Sequence, residues 1–205
     1  MNYGERDLSP SLPKVYLARH GETAWSLSGQ HTGRTDIPLT AKGEEEGIRL
    51  GKRLQGTPFA LVLSSPLQRA RRTCDLASYG ELVENDPDLA EWDYGDYEGL
   101  LTSEIQTRKP NWNVFEDGCP GGESPEEVGK RVDRVIARAR GADGDVLLFG
   151  HGHCLRVLTA RWLGLPPSDG RLFRLSTATL SILSYEHNLN SPVILLWNDD
   201  RHLMS

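Results

Sequence analysis

Histidine and arginine side chains stand directly after three apolar runs of the sequence. The first run is followed at once by Arg19 and His20, the second by Arg69 after a short turn, and the third by His151 and His153. An arginine fork matches the oxygens of a phosphate group. A neutral imidazole can act as a nucleophile or as a metal ligand. These residue types predict a site for a phosphorylated ligand, with a histidine metal site as the alternative.

The apolar runs themselves predict the strands of a parallel sheet. They cover residues 14–18, 60–63 and 145–149, and each is continuous rather than alternating, as in strands that are buried on both faces. Helical patterns separate them, so we expect an α/β fold, a three-layer α/β/α sandwich with a mostly parallel central sheet. Because the carboxyl ends of parallel strands meet at one edge, the histidines and arginines should converge there. Two further runs, 179–187 and 192–197, predict a final strand pair.

Polar caps mark where the predicted helices begin. Thr40 precedes one helical pattern. Ser65 precedes a second pattern with Gln68 three residues later, the spacing of a capping box. Ser124 and Glu127 repeat that spacing before a third pattern, whose apolar residues fall on one helical face.

Composition limits the partners of the chain. The net charge of −6 argues against nucleic acid or a membrane surface as the main partner, but allows a local basic pocket for a small anion. The three cysteines lack disulfide or zinc spacing, which favours a reducing cytoplasm. Residues 1–13 carry no signal peptide and are expected to form a flexible tail before a single domain at 14–205.

Six motifs occur in the order and at the spacing of a known family, and they are LARHGETAW, TGRTDIPLTAKG, SSPLQRARRT, LAEWDYGDYEG, GGES and GHGHCLR. Through them the chain resembles the histidine phosphatase superfamily, in its phosphoglycerate-mutase-like branch, over about residues 14–185. Within that family it is most similar to small actinobacterial acid phosphatases and to sedoheptulose-bisphosphatase-like phosphatases.

The resemblance implies a role for each of the polar residues in these motifs. His20 would be the nucleophile that takes the phosphoryl group as a phosphohistidine. Arg19, Arg69 and His151 would line the phosphate pocket. Glu91 would protonate the leaving oxygen and then activate water. This chemistry needs a neutral His20 and a protonated Glu91 in the first step, so we expect a bell-shaped pH profile. No metal and no cofactor are implied.

Further residues are expected to contact the substrate. The resemblance places Thr32 and Gly33 at the pocket rim and Tyr94 near the substrate, and His153 is a candidate for the pocket mouth. Residues 92–125 are expected to form a substrate-covering insertion. A set of aromatic residues has two interpretations, a wall over the substrate or core packing. Its members are Trp25, Trp92, Tyr97, Trp112 and Phe115.

The sequence favours a phosphatase over a mutase. Mutases of the family grip the substrate carboxylate with a lysine and an arginine pair. Here Thr102 stands at the lysine position, and residues 108–124 contain no arginine pair. The main hypothesis is a metal-independent phosphatase that hydrolyses a small phosphorylated metabolite, such as a sugar phosphate.

Three alternatives stay open. They are a cofactor-dependent phosphoglycerate mutase, a metal hydrolase that uses His20, His151 and His153, and a non-catalytic member that binds a phosphorylated ligand. A homodimer formed through the final strand pair is a further expectation.

Overall fold

A six-stranded sheet forms the centre of the computed structural model, which describes residues 12–204. The strands are β1 (Val15–Arg19), β2 (Leu61–Ser64), β3 (Glu84–Asn85), β4 (Val146–Gly150), β5 (Leu180–Tyr185) and β6 (Pro192–Asp199). Their order across the sheet is β3-β2-β4-β1-β5-β6. Neighbours from β3 to β1 pair in parallel, whereas β5 pairs antiparallel to both β1 and β6. The sheet is therefore mixed and mostly parallel, as predicted.

Helices cover both faces of this sheet. In residues 12–204 they are α1 (Ala24–Ser28), α2 (Ala41–Leu54), α3 (Gln68–Leu76), α4 (Thr102–Arg108), α5 (Val114–Asp117), α6 (Pro125–Arg140) and α7 (Gly152–Trp162). Leu17 and Leu148 of the sheet belong to the core with α6 and α7, while Ala18 and Leu147 belong to a second core with α2 and α3. Successive strand residues thus enter opposite cores, which explains why the runs are continuously apolar. The predicted α/β/α sandwich is confirmed.

Two of the three predicted helix caps form. The Thr40 side chain accepts from the Gly43 N–H, and Ser124 and Glu127 form a capping box at the start of α6. The prediction for Ser65 is wrong, because α3 begins at Gln68 without a side-chain cap. The Ser65 hydroxyl is instead bonded to the His151 ring at 2.7 Å. Ser65 therefore orients a side chain of the site, His151, and does not cap α3.

The aromatic set is largely core. Trp92, Tyr97, Trp112 and Phe115 are all buried and belong to the core with α6 and α7. None of these four side chains lines the main cavity, so core packing and not a wall over the substrate is the correct interpretation for them. Trp25 differs, because it is only half-buried and lines the main cavity described below.

Most of the predicted N-terminal tail lies outside the described residues. At its end, Leu12 packs on the core and the Pro13 carbonyl accepts from the Ser184 hydroxyl. Between residues 12 and 204, no helix is long and apolar enough to cross a membrane. The cysteines are buried and free.

A close backbone contact positions the turn after β1. A Cβ added at Gly21 would lie 2.3 Å from the Gly43 carbonyl oxygen, and one added at Gly43 would lie 2.2 Å from the Glu22 carbonyl oxygen. Neither position has room for a side chain, so the two glycines let the turn rest directly on the first turn of α2. The Gly21 N–H also donates to the Thr73 hydroxyl at 3.0 Å. The residue before this turn, His20, is fixed as a result.

Gly43→Ala should destabilise the protein by about 1–3 kcal/mol, the usual cost of overpacking a site that cannot relax. The measurement is the free energy of unfolding from urea titration. Gly141→Ala is the matched control, because an added Cβ there has no atom nearer than 3.4 Å. It should change the free energy of unfolding by no more than about 0.5 kcal/mol. Equal effects of the two substitutions would contradict the close-contact argument.

Candidate active site

His20 is held at the carboxyl edge of the sheet with one ring nitrogen left free. Its N–H donates to the Gly150 carbonyl and its own carbonyl accepts from Ala178, both at 3.0 Å. The ring Nδ1 lies 2.7 Å from the Gly21 carbonyl oxygen. A carbonyl can only accept, so Nδ1 carries the proton and Nε2 keeps its lone pair. Nε2 has no hydrogen-bond partner among the described residues.

The surroundings keep this ring neutral. His20 is buried, and burial lowers its pKa well below the usual histidine range. The nearby positive charges of Arg19 and Arg69 lower it further, because they oppose a second cation. His20 therefore has both the tautomer and the charge state that a nucleophilic imidazole requires.

Arg69 is fully buried and is fixed by hydrogen bonds to uncharged groups. Its Nη2 donates to the carbonyls of Thr32 and Gly33 at 3.0 and 2.9 Å, and its Nη1 donates to the Thr35 carbonyl at 3.1 Å. Its Nε donates to His151 Nδ1 at 3.2 Å. Four of the five N–H groups of a guanidinium are thus used, which leaves one on Nη1. Arg69 supplies a fixed positive charge beside His20.

His151 is oriented by this arginine. Because Arg69 donates to Nδ1, the proton of the neutral ring sits on Nε2, which donates to Ser65 Oγ at 2.7 Å. The ring is fully buried and its centroid lies 5.2 Å from that of His20. Burial, and then the Arg69 charge, lower the pKa of His151 well below its usual range. His151 is therefore fixed beside His20, with both of its ring nitrogens engaged.

Arg19 reaches the site from the end of β1. A Cβ added at Gly152 would lie 3.2 Å from the Arg19 Cζ, so the guanidinium rests against the first residue of α7. Nη1 donates to the Leu175 carbonyl at 2.6 Å. Nε is buried and has no partner among the described residues. A buried donor without a partner is costly, and a bound anion would satisfy it.

Glu91 is held by the N-terminus of α7. Its Oε1 accepts from the N–H groups of Trp92 and Cys154, both at 2.9 Å, and its Oε2 accepts from the His153 N–H at 3.1 Å. Helix N-termini favour such negatively charged partners. The carboxyl group is fixed at the cavity wall, where it can meet a substrate oxygen.

One cavity of about 270 Å³ brings most of the predicted residues together. Arg69 and His151 lie behind its wall. Gly33 lies outside the lining, because its N–H donates to Glu98 at 2.8 Å and its carbonyl accepts from Arg69. The predicted residues that line the cavity are Arg19, His20, Trp25, Thr32, Glu91, Tyr94, Thr102 and His153.

Two ionisable residues of the cavity lining were not predicted from the sequence. His31 and Arg156 both line the cavity, and both lie inside or next to a recognised motif. Arg156 belongs to the GHGHCLR motif, four residues after Gly152, so the period of a helix could have placed it on the same face. His31 gave no such signal, because it lies in an irregular loop.

No three His, Cys, Asp or Glu side chains of residues 12–204 converge in a way that could hold a metal ion. His20, His151 and His153 are each engaged otherwise. Nδ1 of His20 bonds to Gly21, both ring nitrogens of His151 have partners, and Nδ1 of His153 bonds to the Tyr94 hydroxyl at 2.5 Å.

Comparisons with known proteins point to one family. The sequence profile described as histidine phosphatase superfamily (branch 1) matches residues 15–200. An acid phosphatase of Mycobacterium tuberculosis is 40% identical over 188 residues, which cover 89% of this chain and 91% of that protein. A sedoheptulose 1,7-bisphosphatase of Saccharomyces cerevisiae is 40% identical over 189 residues, which cover 76% of this chain and 70% of that protein. A solved structure of a Mycobacterium tuberculosis open reading frame product has a TM-score of 0.85 at 38% identity and covers 91% of this chain and 97% of its own.

The buried histidines predict that the protein loses stability in mild acid. Burial lowers the pKa values of His20, His151 and His153 well below the usual range. Below about pH 6.5 the unfolded chain binds protons that the folded chain does not, so the free energy of unfolding falls as pH falls. The slope should approach about 1.4 kcal/mol per pH unit for each of these histidines. Urea unfolding between pH 7 and pH 5 measures it, and a flat dependence would contradict the buried neutral rings.

Proposed function

We propose that this chain, which belongs to the histidine phosphatase superfamily, is a phosphatase that hydrolyses a small phosphomonoester through a phosphohistidine at His20. The observation that carries this proposal is the state of His20. Its ring is neutral, its proton is fixed on Nδ1 by the Gly21 carbonyl, and its free Nε2 belongs to a cavity that also contains an unsatisfied arginine donor. That arrangement suits nucleophilic attack on a phosphorus atom.

The proposed reaction has two steps. In the first, Nε2 of His20 attacks phosphorus, the N–P bond forms and the bond from phosphorus to the ester oxygen breaks. The Glu91 carboxyl donates a proton to the departing oxygen. Arg19 and the remaining N–H of Arg69 stabilise the charge on the other phosphoryl oxygens, since fixed donors in a dry site act strongly on developing charge, and His151 holds Arg69 in place.

In the second step, water attacks the phosphohistidine. Glu91 takes a proton from that water, the N–P bond breaks and inorganic phosphate leaves. The neutral His20 is restored with its proton still on Nδ1. Glu91 thus acts as acid and then as base, and its position at the cavity wall serves both roles.

The substrate class follows from the cavity and the relatives together. The cavity of about 270 Å³ lies just below the usual range of ligand sites, which is roughly 300–1,000 Å³. The relatives are an acid phosphatase and a sugar bisphosphatase. We therefore expect a small phosphorylated metabolite, with a sugar phosphate as the leading candidate.

Thr102, which stands at the lysine position of the mutases, argues against mutase activity in the structure as it does in the sequence. Thr102 lines the cavity, and its hydroxyl bonds to His31 rather than presenting a cation. Phosphoglycerate mutase activity and non-catalytic ligand binding are the outcomes that an assay would have to exclude.

We place the enzyme in the cytoplasm because its buried cysteines are free. The homodimer stays a prediction.

His20→Ala should abolish phosphate release, while Glu91→Gln should slow both steps without removing the nucleophile. The measurement is phosphate release from a panel of phosphomonoesters in EDTA, together with acid-quench trapping of radiolabelled phosphoenzyme. Glu91→Gln should still label, and His20→Ala should not. Full activity of His20→Ala would overturn the proposal, and loss of wild-type activity in EDTA would favour a metal enzyme.

The acid limb of kcat/KM should lie well below pH 6.5. Burial and the neighbouring arginines lower the pKa of His20, so the nucleophilic neutral form persists as the solution is acidified. Phosphate esters ionise near pH 6 themselves. Two substrates with different phosphate pKa values therefore form the control, because a limb due to the enzyme keeps its position with both. An enzyme limb at or above pH 6.5 would contradict the assignment.

A further inference from the structure

One recognised motif, GGES at residues 121–124, has no part in the reaction proposed above. Its serine caps α6, but its glutamate, Glu123, belongs neither to that cap nor to the lining of the main cavity. Glu123 forms a bidentate ion pair with the buried Arg131, in the second turn of α6. Nε of the arginine donates to Oε1 at 2.7 Å, and Nη2 donates to Oε2 at 3.0 Å. A buried ion pair adds little stability by itself, so its other contacts indicate what it does.

The remaining donors of Arg131 hold the chain just before Glu91. Nη1 donates to the Asp88 carbonyl at 2.8 Å and to the Ala90 carbonyl at 2.7 Å. Nη1 also lies 3.4 Å from Sγ of Cys154, the residue whose N–H bonds to Oε1 of Glu91. Arg131 therefore connects the chain that carries the Glu91 carboxyl with the helix start that binds this carboxyl.

Glu123 holds the chain just after Glu91 at three points. Its Oε2 accepts from the Asp93 N–H at 2.9 Å, and its own N–H donates to the Asp93 carbonyl at 2.9 Å. Its carbonyl accepts from the Trp92 indole N–H at 2.9 Å. The ion pair thus fixes residues 88–93, which we call the Glu91 segment, on both sides of Glu91.

A glycine of the motif lets this contact form. A Cβ added at Gly122 would lie 2.2 Å from the Asp93 carbonyl oxygen, so no side chain fits there. The loop can therefore lie directly on the backbone of the Glu91 segment. Backbone contact with this segment explains the GGES motif, and contact with a substrate is not needed.

Packing alone does not fix the Glu91 segment. A second cavity, of about 420 Å³, borders it, and Glu91 lines both this cavity and the main one. Residues of the ion pair and of the segment that line the second cavity are Ala90, Glu91, Glu123 and Arg131. A side chain that borders open space lacks neighbours that would resist its displacement. The position of the Glu91 carboxyl consequently depends on the hydrogen bonds that Arg131 and Glu123 supply.

We propose that the ion pair between Arg131 and Glu123 positions the Glu91 carboxyl for proton transfer to the leaving oxygen. Both are positioning residues, because neither lines the main cavity. This role rests on the phosphatase function proposed above. Proton transfer needs donor and acceptor atoms about 3 Å apart, so a small displacement of Glu91 is enough to weaken it.

Leaving groups of different basicity test this role. p-Nitrophenolate departs without a proton, whereas the more basic phenolate of phenyl phosphate benefits from an acid. Arg131→Lys keeps a positive charge beside Glu123 but loses the planar fork that also holds two carbonyls. It should lower kcat/KM for phenyl phosphate by about 10- to 100-fold and for p-nitrophenyl phosphate by less than about threefold. Equal losses for the two esters would overturn the proposal.

A double-mutant cycle with Glu91→Gln separates positioning from a general effect on the fold. Once Glu91 is replaced, Arg131→Lys should lower kcat/KM for phenyl phosphate by no more than about twofold, because both substitutions impair the same group. Full additivity of the two losses would mean that Arg131 supports the fold without acting through Glu91.

Glu123→Gln tests the other half of the ion pair and covers the case in which Arg131→Lys does not fold. Glutamine keeps the shape of the side chain, but its single oxygen cannot replace both carboxylate oxygens toward Arg131 and Asp93. This variant should show the same selective loss with phenyl phosphate. A loss that does not depend on the leaving group would count against the positioning role.

Arg161→Gln is the matched control. Arg161 also forms a bidentate ion pair with a residue of α6, Asp133, at 2.9 and 3.0 Å, but none of its hydrogen bonds reaches the Glu91 segment. Its replacement should leave the ratio of the two kcat/KM values unchanged. A change as large as that in Arg131→Lys would show that any lost ion pair of α6 has this effect, and would contradict the proposal.

The wild type separates a failure of this inference from a failure of the phosphatase function. Phosphate release by the wild type, with equal losses for both esters in the variants, would retain the phosphatase and reject the positioning role. No phosphate release by the wild type from these or other phosphomonoesters would reject both.

Discussion

The buried charge of Arg69 is the constraint on which the site depends. A guanidinium removed from water is stable only when its N–H groups find acceptors, and Arg69 finds them in the loop after α1 and in His151. Both partners are thereby positioned. The loop carbonyls must point inward, which fixes Thr32 at the cavity, and His151 must keep its proton on Nε2. One side chain from α3 thus organises groups that are far apart in the sequence.

The N-terminus of α7 is the second organising element. Its first residue supports Arg19, its next N–H groups hold Glu91, and its following turn carries Arg156. The N–H groups that a helix leaves unpaired at its start are bonded here to the carboxylate of Glu91, the residue to which the proposed mechanism assigns the proton transfers. Glu91, Arg19 and Arg156 therefore keep a fixed relation, because all three depend on one rigid helix.

The sequence could predict the fold and the part of the site that stands at strand ends. Continuous apolar runs define β1, β2 and β4, and parallel pairing then forces Arg19, His20 and His151 to one edge. Contacts between distant loops could not be predicted in this way. Ser65 stands at the capping position of a helical sequence pattern, yet its hydroxyl bonds to His151 in the structure and does not cap α3. His31 lies in irregular backbone, where no periodicity indicates which side chain faces a cavity.

Burial has opposite consequences for the histidines and the arginines of this site, and the chemistry uses both. Desolvation keeps His20 from binding a second proton, because a base of its moderate strength cannot hold an added positive charge in a dry and already positive environment. Arginine is far more basic, so Arg19 and Arg69 stay charged in the same surroundings even though burial lowers their pKa values. A cavity in an acidic protein can therefore present an uncharged nucleophile among fixed positive charges. Exposed histidine and arginine side chains would have neither property. Water stabilises the protonated form of imidazole and screens the charge of arginine.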